Sequence, residues 1–122
     1  MGKVFISYSH DSEEHAKRVL SFTNLLVKDG IDCILDQYTP HPAEGWPRWM
    51  DRNITEADFV FMICTRTYYN RVMGLEETGT GPGVKWEGNL IYNKLYKNDS
   101  VNEKFIPVLF KHEDAKYIPG PL

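Results

Sequence analysis

Residues 3–9, Lys-Val-Phe-Ile-Ser-Tyr-Ser, decide the fold of this chain. Val4, Phe5 and Ile6 form an unbroken apolar run, which is typical of a central strand in a parallel sheet, because helices cover both faces of such a sheet. Polar residues follow at once: Ser7, Tyr8, Ser9 and His10. In an open α/β sheet, ligands bind at the carboxyl ends of the strands, where the strand order reverses. We therefore expect the first candidate site at residues 7–10.

Three further apolar segments predict strands at residues 31–35, 58–64 and 105–110, and helical patterns separate them. Ser12 before Glu13 and Glu14 is typical of a helix start, and Gly30 of a helix end. Apolar residues at helical spacing predict further helices over residues 46–57 and 84–96. This alternation of strands and helices predicts an α/β domain with a parallel sheet.

The composition of the chain excludes several classes of function. With 122 residues, of which 42% are hydrophobic, it is expected to form one globular domain. A net charge of −3 and the lack of a basic run argue against nucleic acid as a partner. No apolar stretch approaches the ~18 residues of a membrane span, and none resembles the core of a signal peptide. We expect a cytoplasmic protein without a membrane partner.

The residues that bind metals or react as nucleophiles show no productive spacing. Cys33 and Cys64 lie in different predicted strands without a CxxC pattern, and both are expected to be core thiols. The four histidines lack ligand spacing, so no metal site is expected. The glycines around Gly79 do not form a dinucleotide fingerprint, and no GxSxG follows a strand.

A long loop follows the second predicted strand, at residues 37–47. Its sequence, Gln-Tyr-Thr-Pro-His-Pro-Ala-Glu-Gly-Trp-Pro, holds three prolines and a glycine, so it is neither a helix nor an interior strand. Loops of this length between a strand and a helix are usually functional. After the third strand come Thr65, Arg66 and Thr67, which we expect to face residues 7–10. The fourth strand has no closing helix, so the chain is expected to be part of a longer protein.

Several of these motifs, taken in order, resemble one family. They are residues 3–9, Asp36, Glu44-Gly45-Trp46, Ala57-Asp58, residues 65–69 and Trp86-Glu87. The chain resembles the TIR superfamily, and within it the SEFIR branch, over residues 1–122. The resemblance implies a flavodoxin-like, three-layer fold with strand order 2-1-3-4, in which the family's last strand and helix are missing from this chain.

The resemblance supports two functions of different classes. The first is an intracellular signalling module that associates with itself and with other SEFIR or TIR domains through the long loop. The loop residues implied are Gln37, Tyr38, His41, Glu44 and Gly45. We place this function first, because it follows from family membership alone.

The alternative is an NAD glycohydrolase that cleaves the nicotinamide–ribose bond. The resemblance implies that such an enzyme can require assembly to be active. The resemblance implies Glu87 as the catalytic carboxylate, which would stabilise the positive charge that develops on the ribose. The substrate would be bound by Ser7, Tyr8, Ser9, Trp46, Arg66 and Trp86. No cofactor is expected, since NAD would be the substrate.

Each of these residues also has a structural interpretation. Glu87 can simply favour the start of its helix. Trp46 and Trp49 can be core anchors rather than stacking surfaces. Residues 7–10 can be turn and capping residues before the first helix.

Overall fold

The structure is a computed structural model that describes residues 2–75 and 104–119. Four strands, β1 (Lys3–Ser7), β2 (Asp32–Ile34), β3 (Phe59–Ile63) and β4 (Phe105–Val108), form one parallel sheet. Their order is β2-β1-β3-β4, which confirms the predicted flavodoxin-like topology. The predicted helix at 84–96 lies outside the described residues.

Within the described residues, three α-helices connect or follow these strands: α1 (Glu13–Lys28), α2 (Trp46–Glu56) and α3 (Arg66–Val72). The Ser12 side chain caps α1 by accepting a hydrogen bond from the backbone N–H of His15, as its position in the sequence predicts. Gly30 follows the end of α1 with a φ of +91°, a conformation that favours glycine. Thr65 caps α3 in the same way, through the backbone N–H of Tyr68.

The sheet separates two apolar cores, so the domain has three layers. Side chains of β1 alternate between them: Val4 and Ile6 face α1, whereas Phe5 faces α2 and α3. The core under α1 also contains Val19, Leu35 and Ile63. The core under α2 and α3 also contains Trp49, Ile54, Val60, Met62, Tyr68 and Phe105.

The structure corrects several of the predicted boundaries. The strands predicted at 31–35 and 58–64 are each one residue shorter at both ends, and three further details differ. A short 3₁₀ segment (Asp36–Tyr38) opens the long loop, and Trp46 already begins α2, so only residues 39–45 lack helical structure. The fourth strand ends at Val108 instead of residue 110. A second 3₁₀ segment (His112–Tyr117) follows it, where no element was predicted.

Cys33 lies in β2 and Cys64 directly after β3, so β1 lies between the two free thiols in the sheet order. Cys64 is buried and Cys33 is half-buried. Within residues 2–75 and 104–119, no helix is long and apolar enough to cross a membrane.

Proline 107 lies in β4, at one end of the sheet formed by the described residues. The backbone N–H groups of Val60 and Cys64 donate to the carbonyls of Lys104 and Val108. The even-numbered residues of β4 therefore point their backbone groups towards β3, and Pro107 points away from it. The missing N–H of Pro107 costs no hydrogen bond to β3 and leaves one donor fewer on the outer side of the strand.

Candidate functional site

Two cavities lie side by side at the carboxyl edge of the sheet, and both are bordered by residues that end or follow β1. One extends towards β2 and α2, and the other towards β3 and β4. The strand order reverses between β1 and β3, so the second cavity occupies the position where open α/β sheets bind ligands.

The first, which we call the aromatic cavity, has a volume of about 240 Å³. Its lining residues come from β1, the first 3₁₀ segment and α2: Phe5, Ile6, Ser7, Tyr8, His10, Asp36, Trp46, Trp49 and Met50. Trp49 is 5% exposed and packs on Phe5 with ring centroids 5.8 Å apart, so it is a core anchor. Trp46 is half-buried and stands edge-on to Trp49, with centroids 5.2 Å apart. Trp46 therefore supplies an aromatic surface to the cavity.

The Asp36 carboxylate ties the long loop to the end of β1. The hydroxyl of Tyr8 donates to Asp36 Oδ1 at 2.7 Å, and His10 Nε2 lies 3.0 Å from Oδ2. The Gln37 amide donates to the Tyr8 hydroxyl and to the carbonyl of Ala16, both at 2.9 Å. His10 belongs to the first candidate site predicted from the sequence, whereas Asp36 was not predicted as a binding residue. The signal available for Asp36 was its position just beyond the carboxyl end of β2.

The second, which we call the charged cavity, has a volume of about 340 Å³. It lies between the first turn of α1, the first turn of α3 and the second 3₁₀ segment. Its lining residues are Asp11, Ser12, Glu14, His15, Arg18, Thr65, Arg66, Thr67, Phe110, Lys111 and Asp114. Three of them are cations and three are carboxylates, so the lining carries both signs of charge with no net formal charge.

Most of these charges have no ionic partner. Within residues 2–75 and 104–119, Arg18, Arg66 and Lys111 form no salt bridge within 4.0 Å. The Arg18 guanidinium lies 5.5 Å from the ring centroid of Phe110. The charges are therefore available to a partner.

The His15 ring lies between the aromatic rings of Tyr8 and Phe110, at one side of the charged cavity. Its ring centroid lies 6.3 Å from that of Tyr8 and 6.0 Å from that of Phe110. His15 Nε2 is buried and has no hydrogen-bond partner among the described residues. Burial lowers the pKa of His15, against the opposing effect of Asp11.

The predicted substrate-binding residues do not converge on one cavity. Ser7, Tyr8 and Trp46 border the aromatic cavity, whereas Arg66 borders the charged one. Ser9 is buried, and its hydroxyl donates to Asp11 and lies 3.3 Å from Thr65 Oγ1. This contact confirms that the residues after β1 and β3 face each other. Trp86 and Glu87 lie outside the described residues.

The long loop is exposed at most of its predicted contact positions: Gln37, Tyr38, His41 and Glu44 are exposed, and Gly45 is half-buried. It is nevertheless held in place. The Tyr38 hydroxyl donates to Asn24 Oδ1 of α1 at 2.5 Å, and the His41 ring stands edge-on to Trp46 at 6.0 Å. Gly45, with a φ of +85°, donates its N–H to the carbonyl of Pro42 at 3.0 Å.

An ion pair closes the far end of the loop on α2. Arg52 donates to the Glu44 carboxylate at 2.5 Å, and this hydrogen bond lowers the pKa of Glu44 below its ordinary value. Glu56 lies 3.9 Å from the same guanidinium, one turn along α2. Among the described residues, no group of three or more His, Cys, Asp and Glu side chains is placed to hold a metal ion.

Comparison with known proteins gives two findings. A family model, the SEFIR domain, matches residues 2–122. A solved structure, described as a crystal structure of a prokaryotic SEFIR domain, is 30% identical in sequence and superposes with a TM-score of 0.68. The match covers 98% of this chain and 81% of that one.

Proposed function

Because the chain belongs to the SEFIR domain family, a family of signalling domains, we propose that it binds copies of itself and other SEFIR or TIR domains through the long loop. The observation that carries this proposal is an exposed loop that is already ordered. Three prolines, a glycine at positive φ, the Tyr38–Asn24 hydrogen bond and the Glu44–Arg52 pair all restrict it. A loop held in its binding conformation loses little entropy on association, which favours affinity.

The test compares two variants by sedimentation over a range of protein concentrations. Tyr38→Ala/His41→Ala removes two exposed loop side chains. Phe59→Ala is the control, because Phe59 is 40% exposed against 41% for Tyr38 and lies at the opposite, amino end of its strand. We expect the wild type and the control to associate alike, and the loop variant to need about tenfold more protein, roughly 1.4 kcal/mol. A loop variant that associates like the wild type would contradict the proposal.

The aromatic cavity supports a second candidate function, cleavage of NAD to nicotinamide and ADP-ribose by water. It combines an aromatic surface at Trp46 with the Asp36 carboxylate and the small side chain of Ser7. A volume of about 240 Å³ fits one ring and its ribose better than a whole dinucleotide, since drug-sized ligands occupy about 300–1,000 Å³. Glu87 would stabilise the positive charge on the ribose as the bond to nicotinamide breaks.

The test is nicotinamide release from NAD, with the protein both free and artificially clustered. Glu87→Ala is compared with Glu56→Ala, a glutamate on the exposed face of α2. We expect the clustered wild type and Glu56→Ala to release nicotinamide, and Glu87→Ala to lose this activity. If clustered wild type releases none, this second function is wrong, and the interaction role is unaffected.

A further inference from the structure

The charged cavity takes no part in either function proposed above, yet it occupies the position where open α/β sheets bind ligands. It is bordered by residues that lead into α1, by the start of α3 and by the segment that follows β4. Side chains from three separate elements of the fold therefore converge on it. Its volume of about 340 Å³ falls within the range of small-molecule sites, about 300–1,000 Å³.

The cavity carries both signs of charge, and they come from different elements. Asp11 and Glu14 lie before and within the first turn of α1. Arg66 begins α3, and Lys111 follows β4. These four residues are exposed, and none of them forms an ion pair within the part of the chain that the structure describes. Each charge is therefore able to bind an opposite charge on a ligand.

The balance of charges determines the class of ligand. The three cations and three carboxylates of the lining cancel formally, so the cavity favours neither a polyanion such as a nucleotide nor a polycation. A ligand with one positive and one negative group fits such a lining, because each of its charges meets an opposite one. The Thr67 hydroxyl and the Phe110 ring add a polar and an apolar surface.

The charged side chains suit a carboxylate and an ammonium group. The Arg66 guanidinium can donate two parallel hydrogen bonds to one carboxylate, and Lys111 adds a second cation. A primary ammonium group donates several hydrogen bonds, which the carboxylates of Asp11 and Glu14 can accept. Asp11 already accepts a hydrogen bond from the buried Ser9 hydroxyl, which holds its carboxylate at the border of the cavity.

We infer that the charged cavity binds a zwitterionic small molecule with a primary ammonium group and a carboxylate, either a free amino acid or a dipeptide. The site is separate from the proposed functions, since in the described part of the chain it shares no lining residue with the aromatic cavity or the long loop. A bound ligand would join α1, α3 and the segment after β4. Its binding is therefore expected to stabilise the folded protein.

The first experiment measures thermal unfolding of the wild type with each of the common amino acids and with glycylglycine, at millimolar concentration. Titration calorimetry then gives the affinity of those that raise Tm. We expect at least one of them to raise Tm and to bind at a single site. Its methyl ester lacks the carboxylate charge and its N-acetyl derivative lacks the ammonium charge, so each is expected to bind about tenfold more weakly or worse. Comparison of the amino acids with glycylglycine distinguishes the two sources of this chemistry.

A pair of variants tests whether the cations of the cavity hold the ligand. Arg66→Ala/Lys111→Ala removes both and is expected to weaken binding about tenfold or more. Lys17→Ala/Lys28→Ala is the control, because it removes the same charge from exposed residues of α1 outside the cavity. The control is expected to bind like the wild type. Circular dichroism establishes that each variant is folded.

A second pair tests the acidic side. Glu14→Gln is expected to weaken binding, whereas Glu13→Gln, at an exposed neighbour outside the cavity, is expected to leave it unchanged. Three results would overturn the inference: no compound of the panel binds, derivatives that lack one charge bind as tightly as the parent compound, or the cavity variants bind like the wild type. None of these results bears on self-association through the long loop or on nicotinamide release.

Discussion

The hydroxyl oxygens of Ser7 and Tyr68 lie 2.7 Å apart in a buried hydrogen bond that joins the last residue of β1 to α3. The two residues are 61 positions apart in the sequence. Ser7 was predicted as a substrate-binding residue, and it does border the aromatic cavity. Its hydroxyl, however, is already engaged with Tyr68, so a ligand would have to share or displace that bond.

The Ser7–Tyr68 bond predicts a measurable contribution to stability. Tyr68→Phe leaves the buried Ser7 hydroxyl without its partner, which costs about 1–3 kcal/mol in the free energy of unfolding. Adding Ser7→Ala is expected to recover part of this loss, because the stranded hydroxyl is removed. Urea unfolding measures the free energy of unfolding of the single and the double variant. Tyr69→Phe, at the half-buried neighbouring tyrosine, is the control and is expected to change the free energy of unfolding little. Equal losses of stability in Tyr68→Phe and Tyr69→Phe would contradict the prediction.

The Glu44–Arg52 pair is predicted to order the long loop without stabilising the fold. Both groups are exposed, so Glu44→Gln is expected to leave the free energy of unfolding almost unchanged. Hydrogen exchange of the amides at residues 39–45 is expected to speed up, because the loop loses its contact with α2. Glu56→Gln removes the more distant acid beside the same guanidinium and serves as the control. Unchanged exchange in Glu44→Gln would show that the other restraints, the prolines and the Tyr38–Asn24 hydrogen bond among them, hold the loop without the ion pair.

Stability is predicted to depend on pH through His15. Burial lowers the pKa of His15 from 6.5, so below that pH the unfolded chain takes up a proton that the folded protein resists. The folded state is stabilised while His15 is neutral. This contribution to the free energy of unfolding is complete above pH 6.5 and is lost as the pH falls towards the pKa of His15 in the folded protein. His15→Phe, which keeps an aromatic ring between Tyr8 and Phe110, is expected to flatten this part of the profile.

The measurement for His15 is urea unfolding at several pH values on both sides of 6.5. The difference between the wild-type and His15→Phe profiles gives the contribution of His15 and of its interactions with neighbouring charges. His112→Phe, at an exposed histidine, is the control. Parallel profiles for wild type and His15→Phe would contradict the prediction.

The two thiols are predicted to react at different rates in the folded protein. Burial raises the pKa of Cys64 to about 11, and its side chain is inaccessible, so a thiol reagent reaches it only when the structure opens. Burial raises the pKa of Cys33 as well, but Cys33 is only half-buried. Mass spectrometry after brief labelling should find Cys33 modified first. In denaturant, Cys33 and Cys64 should react at the same rate, which serves as the control. Equal rates in the native protein would contradict the prediction.

Much of the fold was predictable, because β1 and β3 carry continuous apolar runs that only a sheet covered on both faces can bury. The helix cap at Ser12 and the stop at Gly30 are local effects of side-chain and backbone chemistry, so single residues revealed them. The second 3₁₀ segment was not foreseen, since His112–Tyr117 has no apolar periodicity. Its position depends on contacts with α3 that are distant in sequence.

The candidate site was less predictable than the fold. The sequence placed Ser7, Tyr8, Trp46 and Arg66 near the carboxyl edge, and they are there. The sequence did not show which of these residues line which cavity, because this depends on how α2 and α3 pack on the sheet. Nor did the sequence indicate that the Asp36 carboxylate would contact both Tyr8 and His10. The three residues come together only when β1 and β2 pair.

Pro107 affects whether the proposed self-association would be reversible. A strand edge with all its donors free recruits further strands through backbone hydrogen bonds, and such stacking tends to be permanent. A proline that faces outward denies an incoming strand one of those bonds. Pro107 thus makes strand addition at the outer side of β4 less favourable, and the self-association that we propose would then depend on contacts between side chains. Contacts of that kind are weakened by dilution or salt, so an assembly built on them would be reversible.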